Sequence, residues 1–388
     1  MVEFQLSEEQ IALRDKARKF AIEEIIPVSS KYDKSGEFPR PIFEKAHKAG
    51  LMNLGIPKQY GGQGYGSLES ILIVEEIAAA DPGIATSLFA NDLGSTPIIL
   101  IGTEEQKRKF LTPLTKELEF ISFVTSEPSM GSDVAGIQTT CERKGDEYIL
   151  NGNKFWVTNG DFASLYVIFA RIKGTKRHEG LCAFVIPREA EGLSTGKPLE
   201  KLGHRASDTG AVNLRNVHVP VENRLGDEGV GFLLAMGTFA RTRPAIGAFA
   251  TGLARSAMEY AINYAKQREA FEHKISSFQA IQDMVADMYA RIEAMRLLTW
   301  RAAWQVDQGQ DDNIASSCAK LVGAEDAMKI ATDALQIYGG RGYLENYRIA
   351  KLFRDAKLFQ IYEGTSQIQR YVISRYLFKQ YETIMKGF

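Results

Sequence analysis

The chain has 388 residues, more than one hydrophobic core usually supports, so we expect two or three packed units. Its 47 basic and 48 acidic residues give a formal net charge of -1 without long single-sign blocks, which argues against a nucleic-acid-binding surface. Apolar runs are interrupted before they reach membrane-spanning length, so a soluble protein without membrane insertion is expected.

The first third of the chain is predicted to be helical. Residues 7–10 fit a capping box, and apolar residues then recur every three or four positions until Pro27. No signal or transit segment is recognisable before this pattern, so we expect a cytoplasmic protein of a bacterium or archaeon. Further predicted helices cover 41–49 and 68–80, and one starts at a second capping box, 103–106. An N-terminal helical domain over residues 1–119 is predicted.

Near residue 120 the pattern changes to short segments rich in β-branched and aromatic residues. The predicted strands are 120–125, 148–150, 154–158, 165–171, 181–186 and 211–219. Turn residues at 144–146 and 151–153 separate them, which suggests an antiparallel sandwich or barrel. A middle β domain over residues 120–228 is predicted.

The helical period returns after residue 228 and continues to the end of the chain. Long helices are predicted over 245–267, 277–307, 313–336 and 365–381. Four long helices are typical of a bundle, so a C-terminal helical bundle domain over residues 229–388 is predicted. The fold class is therefore mainly α with a central β domain.

Glu363 lies in the run Ile361-Tyr362-Glu363-Gly364-Thr365-Ser366, just before a predicted helix. A carboxylate between apolar residues and a glycine can be partly desolvated, which raises its pKa and makes it a better base near neutral pH. Taken alone, a solvated acid near a helix N-terminus is the commoner explanation.

Three more clusters could hold a ligand. The loop 124–136 gathers hydroxyls and glycines, Trp156 and Thr158 are two positions apart on a predicted strand, and 336–343 is glycine-rich. Considered singly, an ordinary turn is the commoner explanation of the loop and a core tryptophan that of Trp156, and a helix C-cap is the plain alternative for 336–343. The five histidines lack metal-ligand spacing and no Gly-x-Ser-x-Gly elbow occurs, so neither a metal site nor serine-hydrolase chemistry is expected.

Taken together and in this order, the clusters resemble the acyl-CoA dehydrogenase family, most closely its medium- and short-chain members, over nearly the whole chain. The matching signatures are Ser126-Glu127-Pro128-Ser129-Met130-Gly131-Ser132-Asp133 with Gly136, and Gln336, Gly339, Gly340, Gly342, Asn346, Lys351 and Asp355. The resemblance implies FAD held between the last two domains and a neighbouring subunit of a homotetramer.

The resemblance also assigns roles to individual residues. FAD contacts are implied for Phe123, Thr125, Ser126, Gly131, Ser132, Trp156, Thr158, Arg268, Phe271, Gln279, Gln336, Gly340, Thr365 and Gln367. Contacts with the acyl-CoA are implied for Ser132, Phe239, Thr242, Arg243, Phe89, Asn91, Tyr362 and Gly364. Glu363 is expected to remove the proton α to the thioester carbonyl while hydride leaves the β carbon for the flavin. Its own backbone N–H and an FAD hydroxyl are expected to stabilise the enolate, and an electron-transfer flavoprotein is expected to reoxidise FAD.

Family variants narrow the expected reaction. Long-chain and isovaleryl branches place their base at the position of Thr242, which is not acidic here, so Glu363 is the expected base. Residues 84–96 contain no Lys or Arg, which argues against a dicarboxylate substrate. The bulky Phe89 favours a short, branched or alicyclic acyl group.

Three alternatives remain. The chain also resembles cyclohexane- and cyclohexene-carboxyl-CoA dehydrogenases, and a 1,4-elimination giving a cyclic diene would use a base at Asp92 or at the Asn91 position. A flavin- and acyl-CoA-binding protein without catalysis is a second alternative, which the presence of Glu363 argues against. An acyl-CoA oxidase is a third, although such chains are usually longer.

Overall fold

The computed structural model describes residues 5–310 and 313–385. The N-terminal helices are α1 (Glu8–Phe20), α2 (Ile26–Ser35), α3 (Arg40–Lys48), α4 (Ser67–Ala80), α5 (Pro82–Ile101) and α6 (Glu104–Lys116). Both predicted capping boxes are present, since the hydroxyls of Ser7 and Thr103 accept hydrogen bonds from the backbone N–H groups of Gln10 and Gln106. The glutamine side chains bond back to the cap residues, so both helix starts are satisfied locally.

The sequence predicts that the first helical segment ends at Pro27, but the segment continues beyond this residue. A π-helical turn over Ala21–Ile25 joins α1 to α2, and the N–H of Ile26 reaches the carbonyl of Ala21, five residues back. Pro27 then occupies the first turn of α2, where a missing N–H is tolerated. The helical path therefore continues to Ser35.

Helix α5 is absent from the sequence-based prediction. It carries Gly94 and Pro97 and is buried on most sides, against α4, the later helix over 231–267 and the first strand, so it has no amphipathic stripe. An 18-residue window of this 20-residue helix has a mean hydropathy of 1.3, enough by length and composition to cross a membrane. The expectation that every apolar run is interrupted before membrane-spanning length is therefore wrong for α5. Since 67% of the apolar window is buried inside the protein, α5 has the burial of a core helix.

The middle region forms one mixed sheet. Its strands are β1 (Ile121–Val124), β2 (Thr140–Lys144), β3 (Glu147–Thr158), β4 (Leu165–Ile172), β5 (Leu181–Pro187), β6 (Leu193–Thr195), β7 (Thr209–Pro220) and β8 (Arg224–Leu225). The order is β6-β7-β3-β2-β4-β5-β8, with β1 paired to β4. The pairs β1–β4 and β2–β4 are parallel, so the predicted antiparallel arrangement holds only for the remaining pairs.

Residues 151–153 do not form the predicted turn, because β3 runs through them with a shift of register on either side of Gly152. A Cβ atom on Gly152 would lie 2.3 Å from the Thr139 hydroxyl oxygen, so the neighbouring segment approaches too closely for a side chain. The glycine therefore marks a close backbone approach within a continuous strand.

Strand β4 is buried on both faces. Tyr166 and Ile168 face one core, while Val167 and Phe169 pack into a second core that includes Ile98 of α5 and residues of α6. The sheet is therefore fixed to the helices that surround the site described below.

The C-terminal region consists of α7 (Gly231–Gln267), a two-stranded hairpin of β9 (Glu269–Ala270) and β10 (His273–Lys274), α8 (Gln279–Asp307), α9 (Asn313–Tyr338), α10 (Arg348–Phe359) and α11 (Ser366–Met385). The four predicted long helices are present. Helix α7 starts earlier than predicted because it continues through Pro244, and α10 is an additional helix.

Helix α7 crosses α4 at very short range at Gly252. A Cβ atom there would lie 2.2 Å from the carbonyl oxygen of Glu75, so Gly252→Ala forces the helices apart and should destabilise the protein by about 1–3 kcal/mol. Gly237→Ala on the same helix is the control, since its Cβ meets no atom within 4 Å. It should be neutral or stabilise by up to about 1 kcal/mol. Denaturant unfolding of both variants measures the difference, and equal effects would contradict this packing.

Candidate active site

A cavity of about 380 Å³ lies between α4, α5 and α7 and the turn that joins α10 to α11. Its walls are mainly apolar, with Ile71, Val74, Phe89 and Phe249 among the lining side chains. The polar groups on its wall include Thr86, Asp92, Thr96, Thr158, Arg241, Thr242, Asp307, Tyr362 and Glu363. An apolar cavity with a few polar groups is the usual form of a small-molecule site.

Glu363 reaches this cavity through an unusual turn. The N–H groups of Ile361 and Tyr362 both donate to the carbonyl of Leu358, and the chain then turns left-handed at Glu363 and Gly364, with φ of 55° and 88°. A left-handed conformation is uncommon for a residue other than glycine and is frequent at functional sites. The backbone N–H of Glu363 donates no hydrogen bond to any of the described residues.

Two opposing effects act on the pKa of the Glu363 carboxyl group. Burial raises its pKa, and the charges of Arg243 and Lys320 and a 3.4 Å hydrogen bond from the Thr242 hydroxyl lower it again. The resulting pKa is about 7, so the group is poised to accept a proton near neutral pH.

Asp92 is a second carboxyl group on the cavity wall. Its Oδ1 accepts a 2.8 Å hydrogen bond from the N–H of Gly55, whereas its buried Oδ2 has no partner among the described residues. Burial raises the pKa of Asp92 to about 6. Asp92 is therefore a second group in this cavity able to exchange a proton.

Asn91, predicted as a substrate contact or alternative base position, does not reach the cavity. It is fully buried, and its amide donates to Asn53 and to the carbonyl of Glu119 and accepts from the N–H of Ile121. These bonds connect α5 to the start of β1 and use the polar atoms of the amide. Asn91 therefore has a structural role.

The other predicted acyl-CoA contacts divide into two groups. Phe89, Thr242 and Tyr362 line the cavity together with Glu363. The remaining contacts are not among the residues that line the cavity: Phe239 and Arg243 on α7, Gly364 next to Glu363 in the turn, and Ser132 on an exposed loop. Arg243 is 5% exposed and its guanidinium lies 5.9 Å from the ring centroid of Phe239.

Among the predicted flavin contacts of the β region, Thr158 is the one that lines the cavity in the described part of the chain. The ring of Phe123 lies 5.3 Å from that of Phe239. Trp156 is 52% exposed, with φ of 56° at a register shift between β3 and β7. This bulge breaks the regular alternation on which the expected common face of Trp156 and Thr158 depends.

The loop after β1 is anchored by a buried ion pair that sequence reasoning missed. The carboxylate of Glu127 accepts from the N–H groups of Gln138 and Thr139 and from the ammonium of Lys154, which also donates to the carbonyl of Thr125. Thr125 and Ser126 are held against β3 in this way, while Gly131 and Ser132 are exposed. The signal was present as a glutamate inside the loop motif and a lysine inside an apolar strand.

The last group of predicted flavin contacts does not join the cavity within one chain. Arg268, Phe271, Gln279, Gln336 and Gly340 are exposed near the ends of α7, α8 and α9, and Phe271 is 87% exposed. Their role across a subunit interface remains a prediction. Thr365 accepts from the N–H of Ile368, and Gln367 is exposed.

The residues near Thr158 fit a flavin. Trp156 offers an exposed aromatic ring and Thr158 connects this surface to the cavity. A Cβ atom on Gly131 or Gly340 would meet no atom within 4 Å, so both glycine-rich loops leave open space for a bulky ligand.

Comparison with known proteins agrees with this geometry. Family models match residues 7–117, 122–217 and 229–378, as the N-terminal, middle and C-terminal domains of acyl-CoA dehydrogenases respectively. The chain belongs to the acyl-CoA dehydrogenase family. It is therefore an oxidoreductase, and with solved members that include a complex with FAD, FAD is its cofactor.

Individual relatives differ in their reactions. A probable mitochondrial medium-chain specific acyl-CoA dehydrogenase 2 of Caenorhabditis briggsae is 40% identical over 96% of this chain and 91% of its own. A 3-(aryl)acrylate reductase of Clostridium sporogenes is 39% identical over 96% of this chain and 99% of its own. The structure of butyryl-CoA dehydrogenase from Megasphaera elsdenii has a TM-score of 0.95 and 36% identity, covering 97% of this chain and 100% of that one. Such relatives leave the acyl group of this enzyme open.

The raised pKa of Glu363 has a consequence for stability. Because the folded chain holds this proton more tightly than the unfolded chain, the carboxylate destabilises the fold increasingly as pH rises toward about 7. Both proteins are saturated with FAD. The free energy of unfolding of Glu363→Gln should then rise relative to that of the wild type by about 2 kcal/mol as the pH increases from about 5.5 to 8.5. Urea unfolding across this range measures the gain, with the exposed Glu189→Gln as the control. A difference that does not change with pH would contradict the burial of this carboxyl group.

Proposed function

We propose that the enzyme desaturates an acyl-CoA thioester between its α and β carbons, with Glu363 as the base that removes the α proton. The observation that carries the proposal is a carboxyl group with a pKa of about 7 on the wall of an apolar cavity, next to the predicted flavin surface at Thr158. Desolvation of the carboxylate strengthens it as a base at the pH where the reaction must run.

The contribution of the protein is alignment and charge placement. FAD, when bound, accepts the hydride that leaves the β carbon. The backbone N–H of Glu363 is available to the thioester oxygen, where negative charge develops as the α proton leaves. Thr242 holds one oxygen of the carboxylate through its hydroxyl.

The cavity supports a short, branched or alicyclic acyl group. Phe89 is only 6% exposed, and its ring centroid lies 5.9 Å from that of Phe249, so two aromatic rings restrict the cavity. The α5 segment over 84–96 supplies no cation to bind a second carboxylate. Arg241 of α7 lines the cavity, but its positive charge already interacts with the carboxylate of Asp307, another lining residue. A dicarboxylate is therefore not the substrate we propose.

We also propose that the enzyme is a cytoplasmic homotetramer that passes electrons to an electron-transfer flavoprotein. The exposed group that includes Phe271 and Gly340 supports the tetramer, because these residues would complete the FAD site of a neighbouring subunit. Mass photometry of the FAD-loaded protein tests the oligomeric state.

A second candidate reaction is favoured by Asp92. A 1,4-elimination on a cyclic enoyl thioester needs a base remote from the thioester, and Asp92 offers a buried oxygen without a hydrogen-bond partner on the same cavity wall. In that reaction Asp92, rather than Glu363, would remove the first proton.

Glu363→Gln separates these functions. With FAD bound, the variant should keep the flavin spectrum but lose at least about 100-fold in the rate of anaerobic bleaching by butyryl-CoA or cyclohexanecarboxyl-CoA. Stopped-flow absorbance measures the rate, and Asp92→Asn, which also neutralises a carboxyl group on the cavity wall, is the matched control.

The alternatives predict other outcomes. If Asp92→Asn abolishes bleaching by cyclohexenecarboxyl-CoA while Glu363→Gln retains it, the 1,4-elimination is the reaction. If the wild type binds FAD and acyl-CoA but no substrate bleaches it, the protein is a binding protein without catalysis.

The role of Phe89 is tested by Phe89→Leu. The smaller side chain should raise the ratio of octanoyl-CoA to butyryl-CoA turnover, expressed as kcat/KM, by about tenfold, because the cavity gains room for additional methylene groups. Phe43→Leu is the control, since Phe43 is fully buried in α3 and does not line the cavity. An unchanged ratio in Phe89→Leu, or a wild-type preference for octanoyl-CoA, would remove Phe89 as the determinant of chain length.

A further inference from the structure

We propose that Lys320 and Gln369 are positioning residues that clamp the left-handed turn at Glu363 and thereby aim its carboxyl group into the cavity. The proposal rests on the proposed function, because it assumes that Glu363 is the base. Neither residue lines the cavity, and both donate hydrogen bonds to backbone carbonyls of the turn.

The clamp consists of hydrogen bonds to two consecutive carbonyl groups. The ammonium of Lys320 donates to the carbonyl of Gly364 at 2.6 Å. The side-chain amide of Gln369 donates to the same carbonyl at 2.9 Å and to the carbonyl of Glu363 at 3.2 Å. The two donors come from different helices, α9 and α11, so the turn is held from two directions.

The turn needs such support because of its backbone conformation. Glu363 has φ of 55°, a region that residues with a side chain seldom adopt without constraint. At Gly364 a Cβ atom would lie 2.6 Å from the amide nitrogen of Gln369, so the donor occupies the space that a side chain would need. The hydrogen bonds from Gln369 therefore require a glycine at position 364.

Lys320 holds the turn from inside the protein, because its helix, α9, packs against α7. Both Lys320 and Gln369 are fully buried. One turn earlier on α9, the hydroxyl of Ser316 donates to the carbonyl of Ala240 on α7, and α7 carries Thr242, the hydrogen-bond donor to the Glu363 carboxylate. The Ser316 bond joins α9 to α7 but contacts neither Lys320 nor the turn at Glu363, so it is separate from the clamp.

The charge of Lys320 adds an electrostatic effect on Glu363 to the hydrogen bond that an uncharged donor could also make. Burial lowers the pKa of Lys320 to about 8, while the nearby charge of Glu363 raises it. An ammonium group beside the turn favours the ionised form of the base, which is the form that accepts the proton.

The test compares the FAD-loaded variants Lys320→Met and Gln369→Leu, with Ser316→Ala as the control and Glu363→Gln as the reference. Ser316→Ala removes a buried hydrogen bond of the same helix without touching the turn. Two quantities are measured: the limiting rate of anaerobic flavin bleaching by butyryl-CoA, and the Kd of a non-reducible thioether analogue of it from the flavin spectrum.

Lys320→Met and Gln369→Leu should each lower the limiting rate by about 10–100-fold, because small misplacements of a catalytic group have effects of this size. The Kd of the analogue should change by less than about threefold, and Ser316→Ala should bleach like the wild type. If Lys320→Met does not fold, Gln369→Leu decides the matter alone.

Wild-type rates in the clamp variants, or an equal loss in Ser316→Ala, would overturn the clamp while leaving Glu363 as the base, provided that Glu363→Gln is inactive. Retained bleaching in Glu363→Gln would instead overturn the proposed function. The two failures are therefore distinguishable.

Discussion

The site depends on withdrawing one carboxyl group, that of Glu363, from bulk water while keeping it on the wall of a cavity. Burial alone would make the group a permanently protonated acid, and full pairing with a cation would make it a weak base. Arg243, Lys320 and Thr242 offset only part of the effect of burial, which leaves the pKa at about 7. This intermediate balance is what a base for a weakly acidic carbon requires.

Close packing of helices around the cavity fixes the side chains on its wall. Helix α5 contributes Phe89 and Asp92 to the wall, and its burial by α4, α7 and β1 leaves little freedom for either side chain. The short approach at Gly252 fixes α7 against α4, and α7 presents Thr242 to the carboxylate. Packing far from the Glu363 carboxyl group therefore fixes both that group and the cavity wall around it.

Local patterns predicted those parts of the fold that local chemistry determines, such as the capping boxes at Ser7 and Thr103. They failed where tertiary context decides: α5 has no polar face, and Gly152 reflects a neighbouring segment. The motif around Glu363 led to the cavity together with Thr242 and Tyr362. Lys320 and Gln369 could not be predicted, because they contact backbone carbonyls and carry no motif of their own. The predicted FAD contacts that include Phe271 and Gly340 stay a prediction, because they depend on a second subunit.

The most direct test separates proton removal from hydride transfer. The FAD-loaded enzyme is incubated in D2O with 3,3-dimethylbutyryl-CoA, whose β carbon carries no hydrogen, and deuterium at the α carbon is measured by mass spectrometry. We expect the wild type to catalyse this exchange and Glu363→Gln to lose it. Undiminished exchange in the variant, or none in the wild type, would contradict Glu363 as the base.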